Sequence, residues 1–161
     1  LTLIGPELKV GDKAPDFTLT SNDLKPVRLG DSAGKVRIIS VVPSLDTPVC
    51  DQQTRRFNEE ASGLGDQVVV LTVSADLPFA QKRWCVSAEV EQVQTLSDHL
   101  EVSFGASYGT LIKELRLESR AIFVIDGKNQ ICYLEYVKEI ASHPNYDAAL
   151  AAAKGAIGVV A

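Results

Sequence analysis

Two runs of β-branched apolar residues constrain this chain more than any other feature. They are "KVRIISVV" at 35–42 and "QVVVLTVSA" at 67–75. Neither run alternates with polar residues, which is typical of strands buried on both faces of a parallel sheet. Parallel neighbours need a crossover, and a helix-forming segment from Cys50 to Ala61 lies between the runs, ended by Gly63. The sequence therefore predicts an α/β fold.

The rest of the chain extends this unit. Short strands or extended loops are expected at 14–20 and 26–31. The later elements are, in order, a helix begun by Asp76 and Pro78, a strand at 93–98, a short helix closed by Gly109, a hairpin of strands 120–126 and 130–137, and an alanine-rich helix after Pro144. The order predicts a central mixed sheet flanked by helices, as in a thioredoxin-like fold, although by pattern alone a flavodoxin-like sheet fits nearly as well. We expect a single domain over 1–161, with a small N-terminal hairpin at 1–11.

Composition excludes several classes of protein. The net charge is −5 without a basic run, so nucleic acid is not an expected partner. No apolar stretch approaches the roughly 20 residues that span a bilayer, so no membrane association is expected. The opening "LTLIGPELKVG" lacks the features of a signal peptide. The three cysteines are too few for a secreted disulfide scaffold and include no C-x-x-C, so we expect a reduced, cytoplasmic protein.

Cys50 occupies an unusual position for a cysteine. It follows the turn "PSLDTPV" and falls in the first turn of the predicted helix. Free backbone N–H groups and the helix dipole stabilise negative charge there, and the thiolate is the reactive form of cysteine. The alternative is a buried structural cysteine, since cysteine is among the most buried residue types. Polar neighbours such as Asp46, Asp51 and Gln52 count against that alternative.

The residues around this cysteine suit a reactive thiolate. Arg55 and Arg56, about one turn further along the helix, can add positive charge. Thr47 offers a hydroxyl that can donate to the sulfur or to a bound oxygen. Pro43 and Pro48 stiffen the loop and can keep water away.

The string "PSLDTPVC" has the form P-x-x-x-T-x-x-C, which is the active-site pattern of the peroxiredoxins. The longer string "PSLDTPVCDQQTRRFNEEA" resembles the thiol peroxidase branch of that family. "SADLPFAQKRWC" at 74–85 resembles the second signature of that branch, which carries its resolving cysteine. "SRAIFVID" at 119–126 resembles the segment that bears the active-site arginine. The resemblance runs from about Gly11 to the end of the chain.

The resemblance implies a thioredoxin fold that reduces hydrogen peroxide and organic hydroperoxides through thiols alone, with neither metal nor cofactor. Cys50 would be the peroxidatic cysteine, and Cys85 would resolve its sulfenic acid as an intramolecular disulfide that thioredoxin then reduces. Thr47 and Arg120 would hold the peroxide oxygens, and Pro43 would shield the site. The resemblance also implies a homodimer.

The residues by themselves leave some of these roles open. Cys85 is equally compatible with a core cysteine beside Trp84, and Arg120 before a strand is usually a solvated or ion-paired residue. Cys132 lies in a predicted strand, and we expect it to pack in the core. Pro48 departs from the resemblance, because the family often has glycine there, and it should stiffen the loop.

Two other functions compete with a peroxidase. A Cys–His hydrolase would need a histidine directed at the thiol, and His99 and His143 are the two available. A non-catalytic redox sensor or binding module on the same fold would be oxidised once by peroxide but would not turn over.

Overall fold

The structure, a computed structural model, describes residues 1–139 and 141–158. Within these residues the strands are β1 Leu3–Ile4, β2 Thr18–Thr20, β3 Pro26–Arg28, β4 Val36–Val41, β5 Val68–Ser74, β6 Gln94–Ser97, β7 Leu111–Ile112, β8 Leu117–Glu118, β9 Ala121–Ile125 and β10 Ile131–Tyr136. The α-helices are α1 Pro48–Ala61, α2 Pro78–Ala88, α3 Ser103–Tyr108 and α4 Tyr146–Ala156. A 3₁₀ turn covers Leu29–Ser32.

Seven strands form the central sheet in the order β10-β9-β4-β5-β6-β2-β3. Strands β4, β5 and β6 are parallel, while β9 and β10 on one side and β2 and β3 on the other are antiparallel. The mixed sheet confirms the predicted α/β class. A flavodoxin-like sheet is ruled out, because its inner strands all run parallel whereas β9 runs against β4.

Each face of the sheet buries a separate apolar cluster, because neighbouring strand residues point to opposite faces. Ile39 and Val41 of β4 pack on the face covered by α3, together with Phe104 and Tyr108. Ile38 packs on the other face, against residues of α1 and α4. Helices therefore flank the sheet on both sides, and the uninterrupted apolar run of β4 reflects burial on both faces.

The predicted hairpin at 1–11 is wrong. Residues Leu3–Ile4 pair instead with Leu111–Ile112 in a small second sheet, β1-β7-β8. After β1 the chain bends at Gly5, whose φ is 102°, and residues 5–11 contain no strand. The Pro6 carbonyl instead lies against Gly109, at a place where any side chain would collide with it.

Helix α3 is capped from outside its own sequence. The Asp98 carboxylate accepts hydrogen bonds from the backbone N–H groups of Phe104 and Gly105, at 3.2 and 2.9 Å. Glu118, fully buried, contacts Asp98 and accepts a hydrogen bond from Thr110 at 2.6 Å. Burial first, and the hydrogen bond with Asp98 second, raise the pKa of Glu118 to about 9. Glu118 is therefore protonated at neutral pH.

The register of the sheet brings two distant segments to the same end of the β4–β9 strand pair. Val41, the last residue of β4, pairs with Ala121, the first residue of β9. Arg120 precedes β9, and the loop from Pro43 to Cys50 follows β4, so both lie beyond the same end of this strand pair. The carboxyl end of a parallel strand is where α/β proteins place their ligand sites.

Candidate active site

Helix α1 begins at Pro48, two residues before the predicted start, with Thr47 as its N-cap. Proline is well suited to this first position, because the N–H it lacks would have no partner inside the helix. Cys50 is the third residue of the helix and is fully buried. The sulfur therefore lies in the first turn, where the helix dipole favours negative charge, as the sequence predicted.

Arg120 supplies the cation at this sulfur. Its Nη2 donates to the Sγ of Cys50 at 3.3 Å, and the arginine is only 2% exposed. A guanidinium stays charged even when buried, so it is a permanent positive charge beside the thiol. An arginine before a strand is usually solvated or ion-paired at the surface, but Arg120 is buried.

Gln53 holds that arginine in place, and the sequence analysis did not identify it. Its Oε1 accepts from Nη1 of Arg120 at 2.7 Å, and its Nε2 donates to Oγ of Ser40 on β4 at 2.7 Å. Gln53 is fully buried. A signal was present in the sequence, since Gln53 lies three residues after Cys50 and residues at that spacing share one helix face.

Thr47 lies beside Cys50 in sequence but uses its hydroxyl differently from the prediction. The Oγ1 donates its proton to the carbonyl of Ser44 at 3.0 Å, so it has no proton left for the sulfur. Its lone pairs remain available as acceptors. Thr47, Pro43 and Arg120 line a cavity of 180 Å³, together with Pro48, Val49 and Ala141. Three of the predicted site residues, Pro43, Thr47 and Arg120, thus line one small, largely apolar chamber. Cys50 is fully buried and contacts Arg120, whereas Cys85 lies apart, near the end of α2.

Asp76 anchors the loop that carries Thr47. It was predicted to begin α2, but the N-cap is Leu77. The Asp76 carboxylate instead accepts from Ser44 Oγ at 2.7 Å, from the N–H of Leu45 at 2.8 Å and from Ser74 Oγ at 2.8 Å. These bonds join the Cys50 loop to the segment that leads into α2.

The other two cysteines differ in their surroundings. All three thiols are free. Cys85 lies near the end of α2, half-buried, with its Sγ 3.4 Å from the hydroxyl of Thr95 on β6. Cys132 on β10 donates to the carbonyl of Val124 at 3.4 Å and packs among apolar residues. Burial raises the pKa of the Cys132 thiol, so it is a poor nucleophile.

The arginines predicted to assist the thiolate are engaged elsewhere. Arg55 bonds Asp51 at 2.8 Å, and its guanidinium lies over the Trp84 ring. Arg56 bonds Glu60 and Asp147, each at 3.2 Å. The positive charge that reaches the sulfur comes from a different part of the chain.

Neither histidine bonds to the thiol within the described residues. His99 Nδ1 lies 2.9 Å from Ser97 Oγ, and His143 Nδ1 lies 2.7 Å from the hydroxyl of Tyr146. The geometry therefore gives no support to a Cys–His hydrolase.

Comparison with known proteins places this chain among the peroxiredoxins. The redoxin family profile matches residues 9–150. The chain is 62% identical over 157 residues to a thiol peroxidase of Halalkalibacterium halodurans, covering 98% of this chain and 94% of that protein. It is 57% identical to a thiol peroxidase of Bacillus subtilis, covering 98% of this chain and 93% of that protein. A crystal structure of a peroxiredoxin-like protein from Aquifex aeolicus is 42% identical with a TM-score of 0.91, covering 98% and 92% of the two chains.

The chain belongs to the thiol peroxidase family of the peroxiredoxins. The predicted family and the thioredoxin-like fold are confirmed, and the protein is an enzyme of the peroxiredoxin class. In the part of the chain that the structure describes, no helix is long and apolar enough to cross a membrane.

Proposed function

We propose that this protein reduces hydrogen peroxide and organic hydroperoxides at Cys50, with Cys85 as the resolving thiol and thioredoxin as the reductant. The observation that carries the proposal is the 3.3 Å contact between Cys50 Sγ and Nη2 of Arg120, a residue that also lines the 180 Å³ cavity. A thiolate held by a guanidinium, next to space for a small molecule, is what nucleophilic attack on a peroxide needs.

In the first step the Cys50 thiolate attacks the terminal oxygen of the hydroperoxide. The O–O bond breaks, and the terminal O–H stays on the sulfur as a sulfenic acid. The other oxygen leaves as alkoxide or hydroxide, which takes up the proton released when the Cys50 thiol ionised and so becomes alcohol or water. Arg120 stabilises the negative charge that moves from sulfur to the leaving oxygen. Thr47, whose own proton is committed to Ser44, accepts the peroxide O–H and so orients the substrate.

The cavity walls protect this reaction from water. Pro43, Pro48, Val49 and Ala141 present apolar surface to the chamber, and Pro43 is buried. Exclusion of water strengthens the guanidinium's effect on the transferring charge. The same apolar walls accommodate an alkyl group, which supports organic hydroperoxides as substrates.

In the second step the Cys85 thiol attacks the sulfenic sulfur. A disulfide between Cys50 and Cys85 forms, and the sulfenic oxygen leaves as water with the Cys85 proton. Thioredoxin then reduces the disulfide by thiol–disulfide exchange and becomes oxidised itself.

The setting of the reaction follows from the same proposal. The protein acts as a single domain in the cytoplasm, where thioredoxin is kept reduced. A homodimer is supported by the start of α2, where Leu77 and Phe79 are 55% and 68% exposed. Two large apolar side chains so exposed within three residues can form part of an apolar patch of the kind that marks protein interfaces. Sedimentation of the wild type and of Phe79→Ser tests the dimer.

The decisive test is a non-reducing peptide map after one equivalent of cumene hydroperoxide. A Cys50–Cys85 disulfide, with Cys132 still open to alkylation, is the expected result. A lone sulfenic acid on Cys50 would leave the peroxidase but require an external resolving thiol. An unmodified Cys50 would overturn the proposal.

Turnover with thioredoxin, thioredoxin reductase and NADPH completes the test. Cys50→Ser should abolish turnover. Cys85→Ser should permit one oxidation of Cys50 and then stop, while Cys132→Ser, a change at a second half-buried cysteine, should leave turnover near the wild-type rate. One oxidation of the wild type without turnover would identify a redox sensor instead.

A further inference from the structure

Asp51 and Trp84 connect the two helices that carry the redox cysteines. Asp51 directly follows Cys50 in α1, and Trp84 directly precedes Cys85 in α2. The indole Nε1 of Trp84 donates to Oδ1 of Asp51 at 3.0 Å. One hydrogen bond therefore ties together the immediate neighbours of both thiols.

Arg55 reinforces this contact from the same helix as Asp51. Its Nε donates to Oδ2 of Asp51 at 2.8 Å, and its guanidinium lies 5.7 Å from the centre of the Trp84 ring. The arginine thus holds both partners of the hydrogen bond, by a charge-assisted bond on one side and a cation–π contact on the other. We call Asp51, Arg55 and Trp84 the interhelix latch.

The latch also closes over the buried cysteine. Trp84 packs against a small cluster formed by Val42, Leu45 and Cys50, in which the cysteine is fully buried. A cleft of 480 Å³ lies between the two helices beside this contact, and its lining includes Thr47, Asp51, Trp84 and Ala88. The latch therefore bridges a cleft, and its Trp84 ring packs at the margin of the large apolar cluster that contains Ile38 and Phe57, where it is only partly buried.

Disulfide formation cannot proceed with the latch closed. The Cys85 sulfur contacts Thr95 on β6, whereas the Cys50 sulfur contacts Arg120 before β9, and β4 and β5 lie between those strands. A disulfide requires the two sulfurs at about 2.05 Å and the Cα atoms within about 7 Å. The first turn of α1 must leave its place for the thiols to meet, and the Trp84 ring that covers Cys50 must move with it.

We propose that the Asp51–Trp84 latch holds the wound, reduced form and thereby limits the rate at which the Cys50 sulfenic acid is resolved by Cys85. The inference rests on the proposed function. Asp51, Arg55 and Trp84 are positioning residues, since none of them contacts the reacting sulfur–oxygen bond. A strong latch lengthens the lifetime of the Cys50 sulfenic acid, so that a second peroxide can oxidise it to sulfinic acid. A weakened latch shortens the lifetime of the sulfenic acid.

Two variants weaken the latch in different ways. Trp84→Phe keeps an aromatic ring over the cluster and removes the N–H donor without a change in charge. Asp51→Ala removes the acceptor of both the indole and Arg55. Loss of one hydrogen bond to a charged group should raise the rate of disulfide formation about tenfold. The matched control is Asp23→Ala, because Asp23 also bonds α2, through Lys82 at 3.9 Å, but makes no contact with α1 in that pair.

Rapid-quench mass spectrometry after a single addition of peroxide measures the two steps separately. In Trp84→Phe the rate of sulfenic acid formation should match the wild type, while disulfide formation becomes faster and sulfinic acid accumulates less under repeated peroxide pulses. A merely structural role would slow both steps or neither. Unchanged or slower disulfide formation in both latch variants would overturn the latch.

The same experiment separates failure of the latch from failure of the peroxidase. If wild-type protein forms no Cys50 sulfenic acid or no Cys50–Cys85 disulfide, the proposed function fails and the latch fails with it. If the wild type completes both steps but the latch variants resolve at its rate, only the latch is wrong.

Discussion

Nη2 of Arg120 lies 3.3 Å from Sγ of Cys50, although 70 residues separate the two in the chain. The contact exists because β9 pairs antiparallel with β4 in a register that sets Ala121 beside Val41. Helix α1, which follows β4, places the cysteine at the end of this strand pair. The segment that precedes β9 places the arginine at the same end. The reactive pair is thus a consequence of strand register.

Gln53 should matter to the rate of peroxide reduction even though it touches no substrate. Gln53→Met keeps the size of the side chain but removes the acceptor that holds Nη1 of Arg120. Loss of that bond removes one of the contacts that orient the guanidinium toward the sulfur, and we expect the rate of Cys50 oxidation to fall about tenfold. Stopped-flow kinetics of Cys50 oxidation measures this rate. Gln52→Met, at the exposed neighbouring position, is the matched control and should behave as wild type.

Thr47 should act as a hydrogen-bond acceptor. Its hydroxyl proton goes to the Ser44 carbonyl, so only its oxygen lone pairs are available at the cavity that Thr47 lines. Thr47→Val removes these lone pairs, while Thr47→Ser retains them. We expect kcat/KM for peroxide to fall by about 10- to 100-fold in the valine variant and to stay near wild type in the serine variant. A valine variant with full kcat/KM would show that Thr47 only begins the helix.

Asp76 should control the shape of the active-site loop from outside it. Asp76→Ala removes the acceptor for Ser44, Leu45 and Ser74 together. A loosened loop positions Thr47 poorly, so kcat/KM for peroxide should fall by about tenfold or more. Steady-state kinetics with thioredoxin in excess tests this expectation. Asp46→Asn, on the exposed face of the same loop, should leave kcat/KM unchanged, and an equal loss in both variants would refute a specific role for Asp76.

Glu118 should make the protein less stable as the pH rises. In the unfolded chain this carboxyl loses its proton near its ordinary pKa of 4.5, whereas burial keeps it protonated in the fold to a pKa of about 9. Between these values the folded state binds more protons than the unfolded state, so the free energy of unfolding decreases as pH rises from about 4.5 to about 9. Glu118→Gln cannot ionise and should flatten this slope.

Urea unfolding at pH 5, 7 and 9 checks this prediction, with the fluorescence of Trp84, the one tryptophan of the chain, as the signal. The glutamine variant should exceed the wild type in stability by more at pH 9 than at pH 5. Glu101→Gln, at an exposed glutamate, serves as the control. Parallel pH profiles for Glu118→Gln and the wild type would show that Glu118 is ionised in the fold.

The local elements of the chain were predictable because their causes are local. The β-branched runs became β4 and β5, the segment after Pro48 became α1, and the "GKN" turn separates β9 from β10. The P-x-x-x-T-x-x-C motif identified the family; its Pro43 and Thr47 line one cavity, and its Cys50 contacts Arg120 of the same lining. These signals are the positions of proline and glycine, strand propensity and helix periodicity. Each depends only on residues close together in the chain, so the sequence alone is enough to predict the elements.

Several features depended on partners that are far away in the chain. The pairing of Leu3–Ile4 with Leu111–Ile112 was missed, since a two-residue strand carries no signal of its mate. Asp76 looked like a helix cap because aspartate commonly is one, but Ser44 and Leu45 lie within reach of its carboxylate.

The sequence by itself determined which residues of this protein can be reactive: a cysteine at a helix start, with a threonine and prolines before it. The tertiary structure decided which groups act on that cysteine. Arg55 and Arg56, close in sequence, bond elsewhere, and Arg120 reaches the sulfur with Gln53 as its support. The physical reason is that charge stabilisation depends on distance in space, and strand register, which no local propensity encodes, sets that distance.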